Sequence, residues 1–202
     1  MKLFLNIALS VSAVTMSAFA GQWTIDPAHS NATFAVKHMM VSTVRGSFSG
    51  LKGTVDYEPG NVAASKANLT IDAATVDTRD DKRDKHLKSP DFFDVSKFPA
   101  ITFVSKRVVT ENGGKFQLIG DMTMHGTTKE VTFEVEGPVA PVKDAKGNLH
   151  SGATATATLN RKDFGLVWNK TLDGGGVMVG DDVAVTVEVE LVQASPAPVS
   201  AN

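Results

Sequence analysis

The chain has 202 residues, 42% of them hydrophobic, no cysteine and a formal net charge of −2. Lack of cysteine excludes disulfides, a thiolate nucleophile, thiolate metal sites and a lipid-modified cysteine. So mild a charge leaves no electrostatic footprint for nucleic acid or for an anionic membrane surface.

Residues 1–20 read as an export signal, with Lys2 at the start, an apolar stretch from Leu3 to Val14, and Ala18-Phe19-Ala20 as a small-x-small cleavage site. The apolar stretch is too short for a membrane span, and no second long one follows, so no integral membrane anchor is expected. Cleavage near Ala20 implies a periplasmic or secreted protein. The remainder divides into one β domain over 21–193 and a small, proline-rich tail at 194–202 that reads as disordered. A domain of this size buries enough surface to fold without covalent staples.

Strand patterns then fill most of the chain. Phe34, Val36 and His38 share one face of a strand over 33–39, with Lys37 on the other. Val44–Phe48 and Leu51–Tyr57 form a second stretch, where Gly50 and Gly53 suggest a bend or bulge. Ala67, Leu69, Ile71 and Ala73 alternate with Asn68, Thr70 and Asp72. The charge-dense segment 79–94 breaks the alternation. Within it Asp80–Lys88 suits a short helix, acidic at its start and basic at its end, stopped by Ser89-Pro90.

Alternation resumes with Ile101, Phe103 and Ser105, and then with Phe116, Leu118, Gly120, Met122 and Met124. A tight turn at His125–Thr128 leads into Val131, Phe133 and Val135. Ala153, Ala155 and Ala157 alternate with threonines, and Val183, Val185, Val187, Val189 and Leu191 form the clearest strand. About eight strands separated by turn signals predict an all-β antiparallel barrel or sandwich with a short charged helical insertion. Interiors pack to crystal density, so alanine-rich inner faces leave a cavity unless larger residues fill it. Adaptable methionines and aromatics beside such faces suit a flexible apolar guest.

Catalysis has no positive signal. No G-x-S-x-G elbow is present, and Gly174-Gly175-Gly176 lacks the lysine and hydroxyl residue of a phosphate loop. The histidines at 29, 38, 86, 125 and 150 show no local zinc-ligand spacing, so neither a catalytic nor a metal site is expected. His38, placed beside Phe34 and Val36, needs a hydrogen-bond partner from protein, water or a ligand head group. The charged insertion reads first as a solvated helix held by ion pairs.

An ordered set of motifs spans nearly the whole mature chain: W-T-I-D-P-A-H-S at 23–30, F-A-V-K-H-M at 34–39, V-R-G-S-F at 44–48 and V-D-T-R-D-D-K-R-D-K-H-L-K-S-P-D-F-F-D-V at 76–95. It continues with F-P-A-I-T-F-V-S at 98–105, G-D-M-T-M-H-G-T-T-K-E-V at 120–131, N-R-K-D-F-G-L-V-W-N at 160–169 and G-G-V-M-V-G-D-D-V at 175–183. In these the chain resembles the YceI-like family of periplasmic polyisoprenoid-binding proteins. The resemblance implies a lipocalin-like extended barrel of about eight strands, the size whose interior holds one guest. It implies a bound isoprenoid quinone, polyprenol or fatty-acid-like lipid as ligand, with no separate cofactor, no enzymatic activity and a possible homodimer.

On that reading Phe34, Val36, Phe48, Leu69, Ile71, Phe103, Met122, Met124, Phe133 and Trp168 line the tunnel. His38, Arg45 and Asn169 contact a head group, while Arg83, Asp84, His86 and Leu87 lock the insertion onto the barrel. Two other readings compete. One is an enzyme acting on such a lipid through His38 or His86, and the other an envelope stress-related interaction module without cargo that uses the charged insertion as its interface.

Overall fold

A computed structural model describes residues 21–58, 60–110 and 115–193, so the expected signal segment and tail lie outside the described residues. The elements in order are β1 (Gly21–Ile25), β2 (Asn31–His38), β3 (Ser42–Phe48), β4 (Lys52–Tyr57), β5 (Lys66–Asp72), β6 (Val76–Asp77) and α1 (Asp81–Leu87). They continue as β7 (Ala100–Thr110), β8 (Lys115–Met124), β9 (Thr127–Glu136), β10 (Val142–Lys143), β11 (Leu149–Asn160) and β12 (Val179–Gln193).

Three of the strands are broken. β12 pairs with β2 and, further along, with β1, while β3 and β4 continue the same two ladders on the far side. β5 and β6 likewise pair with β4 and β3. With each broken pair taken as one strand, neighbours in sequence are neighbours in the sheet, and the last strand closes on the first in an antiparallel barrel of 8 strands. The expected strand number and topology are those observed.

The breaks have local causes. Pro27 follows Asp26, whose side chain accepts the Ala28 amide at 2.8 Å and turns the chain between β1 and β2. Gly50, at φ +74°, turns it between β3 and β4. At Gly53 the strands lie so close that a Cβ would sit 2.1 Å from the Asn68 carbonyl oxygen.

One end of the barrel gathers the β2–β3 tip, the insertion carrying α1, the β8–β9 turn and the segment 161–178. The opposite end carries the β4–β5 connection, with its 3-10 turn Val62–Ala64, and the β9–β11 connection with β10. Trp23, Ile25, Leu51, Phe164 and Leu191 are fully buried, and the Trp23 indole donates to the Tyr57 carbonyl at 3.2 Å.

The expected helix forms as α1, with Asp80 capping the Lys82 and Arg83 amides. It is more than a solvated face. The buried Thr78 amide and hydroxyl both donate to Asp84, at 2.9 and 2.5 Å, and Arg83 donates to the Thr78 hydroxyl and carbonyl. His86 packs edge-on against Phe92 and Trp168, and Leu87 packs onto the core. The insertion is thus held down by the side chains expected to lock it.

Candidate ligand cavity

A cavity of about 230 Å³ occupies the barrel interior. Phe34 and Val36 of β2, Phe48 of β3, and Leu69 and Ile71 of β5 line one side of it. Phe103 of β7, Met122 and Met124 of β8, and Phe133 of β9 line the other. Period-two alternation puts these residues on inner faces, and the closed sheet brings them together. Ala153 and Ala155 also reach the wall, opposite Val189 and Val187 in register. Their missing side-chain volume is part of the space, whereas Ala157 packs against the core without lining the cavity.

Four expected contact residues lie off the wall. His38 has the inward parity but sits at the last position of β2, beyond the reach of the cavity. Arg45 is exposed, because β3 pairs Phe34 with Gly46 and so turns its neighbour outward opposite Ala35. Trp168 lies in the segment after β11, with its ring against Phe92 and His86. Asn169 is engaged within that segment: its amide donates to the Val179 carbonyl at 2.7 Å, and its oxygen accepts the Val179 and Lys170 amides.

Sequence reasoning missed wall residues contributed by connections. Leu87, Phe92 and Phe93 line the cavity under the insertion, and Ser65 and Pro138 reach it at the opposite end. Arg161 was missed as well. It is 4% exposed, and burial lowers its pKa from the ordinary arginine value. All five guanidinium donors are engaged: with the carbonyls of Gly180 (2.8 Å), Trp168 (3.0 Å), Val179 (3.3 Å) and Leu166, and with Asp181 (3.2 Å). A buried charge needs such partners, and here they pin the 161–178 segment across one end of the barrel. An arginine just after a strand in the motif N-R-K-D-F-G was the available signal.

A second polar constellation lies on the outer surface, where β1, β11, β12 and the β10–β11 connection meet. His150 faces Glu190 through Nδ1 at 2.8 Å and Asp144 through Nε2 at 3.2 Å. His29 bonds Asp26 at 2.7 Å through Nδ1. The Glu190 and then the Asp144 carboxylate raise the His150 pKa above 6.5, and the Asp26 hydrogen bond raises that of His29. Desolvation works to raise the Asp144 carboxyl, but hydrogen bonds from Asn148, His150 and the Lys146 amide outweigh it and hold the pKa at about 2. Asp26, His29 and Glu190 bring ligand atoms within 4.8 Å of one another, a donor set that also suits a divalent cation. Local spacing holds only the pairs Asp26–His29 and Asp144–His150; Glu190, which joins them, is far away in the chain.

Among curated proteins, the UPF0312 protein SAB2563 of Staphylococcus aureus (strain bovine RF122 / ET3-1) is 40% identical over 168 residues, covering 83% of this chain and 95% of the relative. Among solved structures, Burkholderia cenocepacia BcnA superposes with a TM-score of 0.69 at 24% identity, covering 84% of this chain and 99% of its own. A polyisoprenoid binding domain from Saccharophagus degradans, implicated in plant cell wall breakdown, gives a TM-score of 0.60 at 16% identity, covering 86% and 98%. Both structures share the barrel fold. Residues 23–191, from within β1 to within β12, match the YceI-like domain, and the chain belongs to the YceI-like family.

Proposed function

We propose that the protein is a non-enzymatic carrier or store for a long-chain isoprenoid, or a similar amphiphilic lipid, in the periplasm. The observation that carries this reading is the apolar cavity running from Tyr57 and Pro138 at one end of the barrel to Leu87 and Phe92 at the other. At about 230 Å³ it exceeds the roughly 150 Å³ apolar cavity that is enough to bind benzene. Met122 and Met124 on its wall are unbranched and adjust readily to a chain of variable length. Burial of apolar surface at about 25 cal/mol per Å² drives uptake, offset by the ordering of a flexible chain. Similarity to a polyisoprenoid binding domain supports the choice of guest. No helix among the described residues is long and apolar enough to cross a membrane.

Ala155→Phe tests the assignment, because Ala155 lies on the wall between Val187 and Val135. The variant should lose at least ~10-fold in affinity for decylubiquinone, as a phenyl ring occupies the guest's space, while keeping the wild-type β circular dichroism. Unchanged affinity in the folded variant sinks the tunnel assignment.

The interaction-module reading has less support. Arg83, Asp84, His86 and Leu87 of the insertion are turned onto the barrel rather than offered to a partner.

A further inference from the structure

On the cavity wall one buried side-chain polar atom, among the described residues, is left without a hydrogen-bond partner. Among the described residues, the buried side-chain polar atoms without a hydrogen-bond partner are Asn31 Oδ1 and Ser65 Oγ, and of these two residues Ser65 lines the cavity. Leaving a buried hydroxyl unpaired is costly, so an orphaned one on a cavity wall marks a place for a partner that the fold itself does not supply.

Apart from Tyr57, whose ring lines the same end of the cavity, the other polar wall residues are engaged or face outward. Thr33 donates its hydroxyl to the Thr186 carbonyl at 3.4 Å, and Arg161 has all five donors engaged. Thr102 alternates with the buried Ile101 and Phe103, and the exposed Lys66 precedes the buried Ala67, so strand pleating turns both side chains away from the interior.

We propose that Ser65 anchors an uncharged oxygen of the guest, a carbonyl or hydroxyl, through its hydroxyl. The guest then lies with its polar end beside the β4–β5 connection and its hydrocarbon end toward α1. The proposal rests on the container reading and adds to it a head-group class and an orientation.

The asymmetry of the two ends supports that orientation. Under the insertion the wall is Leu87, Phe92, Phe93 and Leu166, backed by the saturated Arg161, and it offers a polar head nothing. At the other end Ser65 caps the 3-10 turn Val62–Ala64, its amide donating to the Val62 carbonyl and its side chain left over. An uncharged group suits this end because the cation nearest Ser65 on the wall, Lys66, is exposed to solvent, so a carboxylate buried beside Ser65 would lack a buried counter-charge, and an unpaired buried charge is far more costly than an unpaired hydroxyl.

The test compares full-length wild type with Ser65→Ala against three probes: decylubiquinone, hexadecane and palmitate. The capping bond uses the residue 65 amide, so the alanine variant keeps it. Loss of one hydrogen bond should weaken decylubiquinone ~5- to 10-fold and leave hexadecane unchanged. Equal quinone affinity in the two proteins overturns the anchor, and so does an equal loss for quinone and hexadecane. Palmitate bound more tightly than quinone by wild type overturns the uncharged head group. A wild type that binds none of the probes overturns the container reading itself, and the anchor with it.

Discussion

Position 46 shows how tightly single residues set the inner surface. Gly46 lies opposite Phe34 across the β2–β3 ladder, and a Cβ there would stand 2.4 Å from the Phe34 ring. The glycine is therefore the partner that lets a phenylalanine lie flat on the cavity wall. Gly46→Val should cost about 1–3 kcal/mol through overpacking and displace the ring into the guest's space. Thermal denaturation with a quinone titration checks both effects, and a variant with unchanged Tm and affinity contradicts the placement. Parity in the sequence was enough to assign Phe34, Val36, Leu69, Phe103 and Phe133 to the inner face. It did not assign depth, which is why His38 shares their parity yet falls beyond the cavity. Arg45 had the outward parity, and the head-group role implied for it by resemblance was already at odds with the pleat. Trp168 and Asn169 lie outside regular strands, where no period exists to read.

At the scale of elements, two clasps hold the connections against the barrel. The first is the exchange among Thr78, Arg83 and Asp84 beneath α1. Asp84→Ala leaves the buried Thr78 without its acceptor and should lower the local opening free energy by about 1–3 kcal/mol. Hydrogen exchange should then quicken in residues 78–95 and stay unchanged in β7–β9; uniform acceleration, or none, contradicts a local clasp. The helix itself was legible, because Asp80 and Ser89-Pro90 mark its ends, but Thr78 as its receptor was not.

The second clasp joins His150 to Glu190 and Asp144. Both ring nitrogens face carboxylates, so the arrangement favours the imidazolium, and the folded pKa lies above the ordinary 6.5. Its stabilisation is therefore fully present below about pH 6.5 and is lost as pH rises through the elevated folded value. The Tm difference between wild type and His150→Asn should accordingly be largest below that pH and shrink above it. A difference that grows with pH contradicts the assignment. Asp144 acts in the opposite sense, stabilising above pH 3.8 and losing its effect as pH falls toward about 2.

At the scale of the whole molecule, β12 is the closing element. Its 15 residues pair with β11 along one edge and with β2 and then β1 along the other, so one strand seals the barrel. That strand was also the plainest alternation in the sequence, and the count of about eight strands followed from turn spacing. The breaks in the first three strands were signalled in part by Gly50 and Gly53, yet their joint effect appears only once the ladders continue across them. The cavity was legible as a shortage of volume on alanine-rich faces. The residues at its ends were not, because Leu87, Phe92, Ser65, Pro138 and Arg161 come from connections whose packing no periodicity encodes.

The central claim is that this interior holds a lipid. Mass spectrometry of the organic extract, with the native intact mass of protein purified without detergent, tests it directly. The account predicts an amphiphilic lipid close to one per chain, carrying an uncharged oxygenated head. An empty protein that also fails to take up decylubiquinone contradicts it.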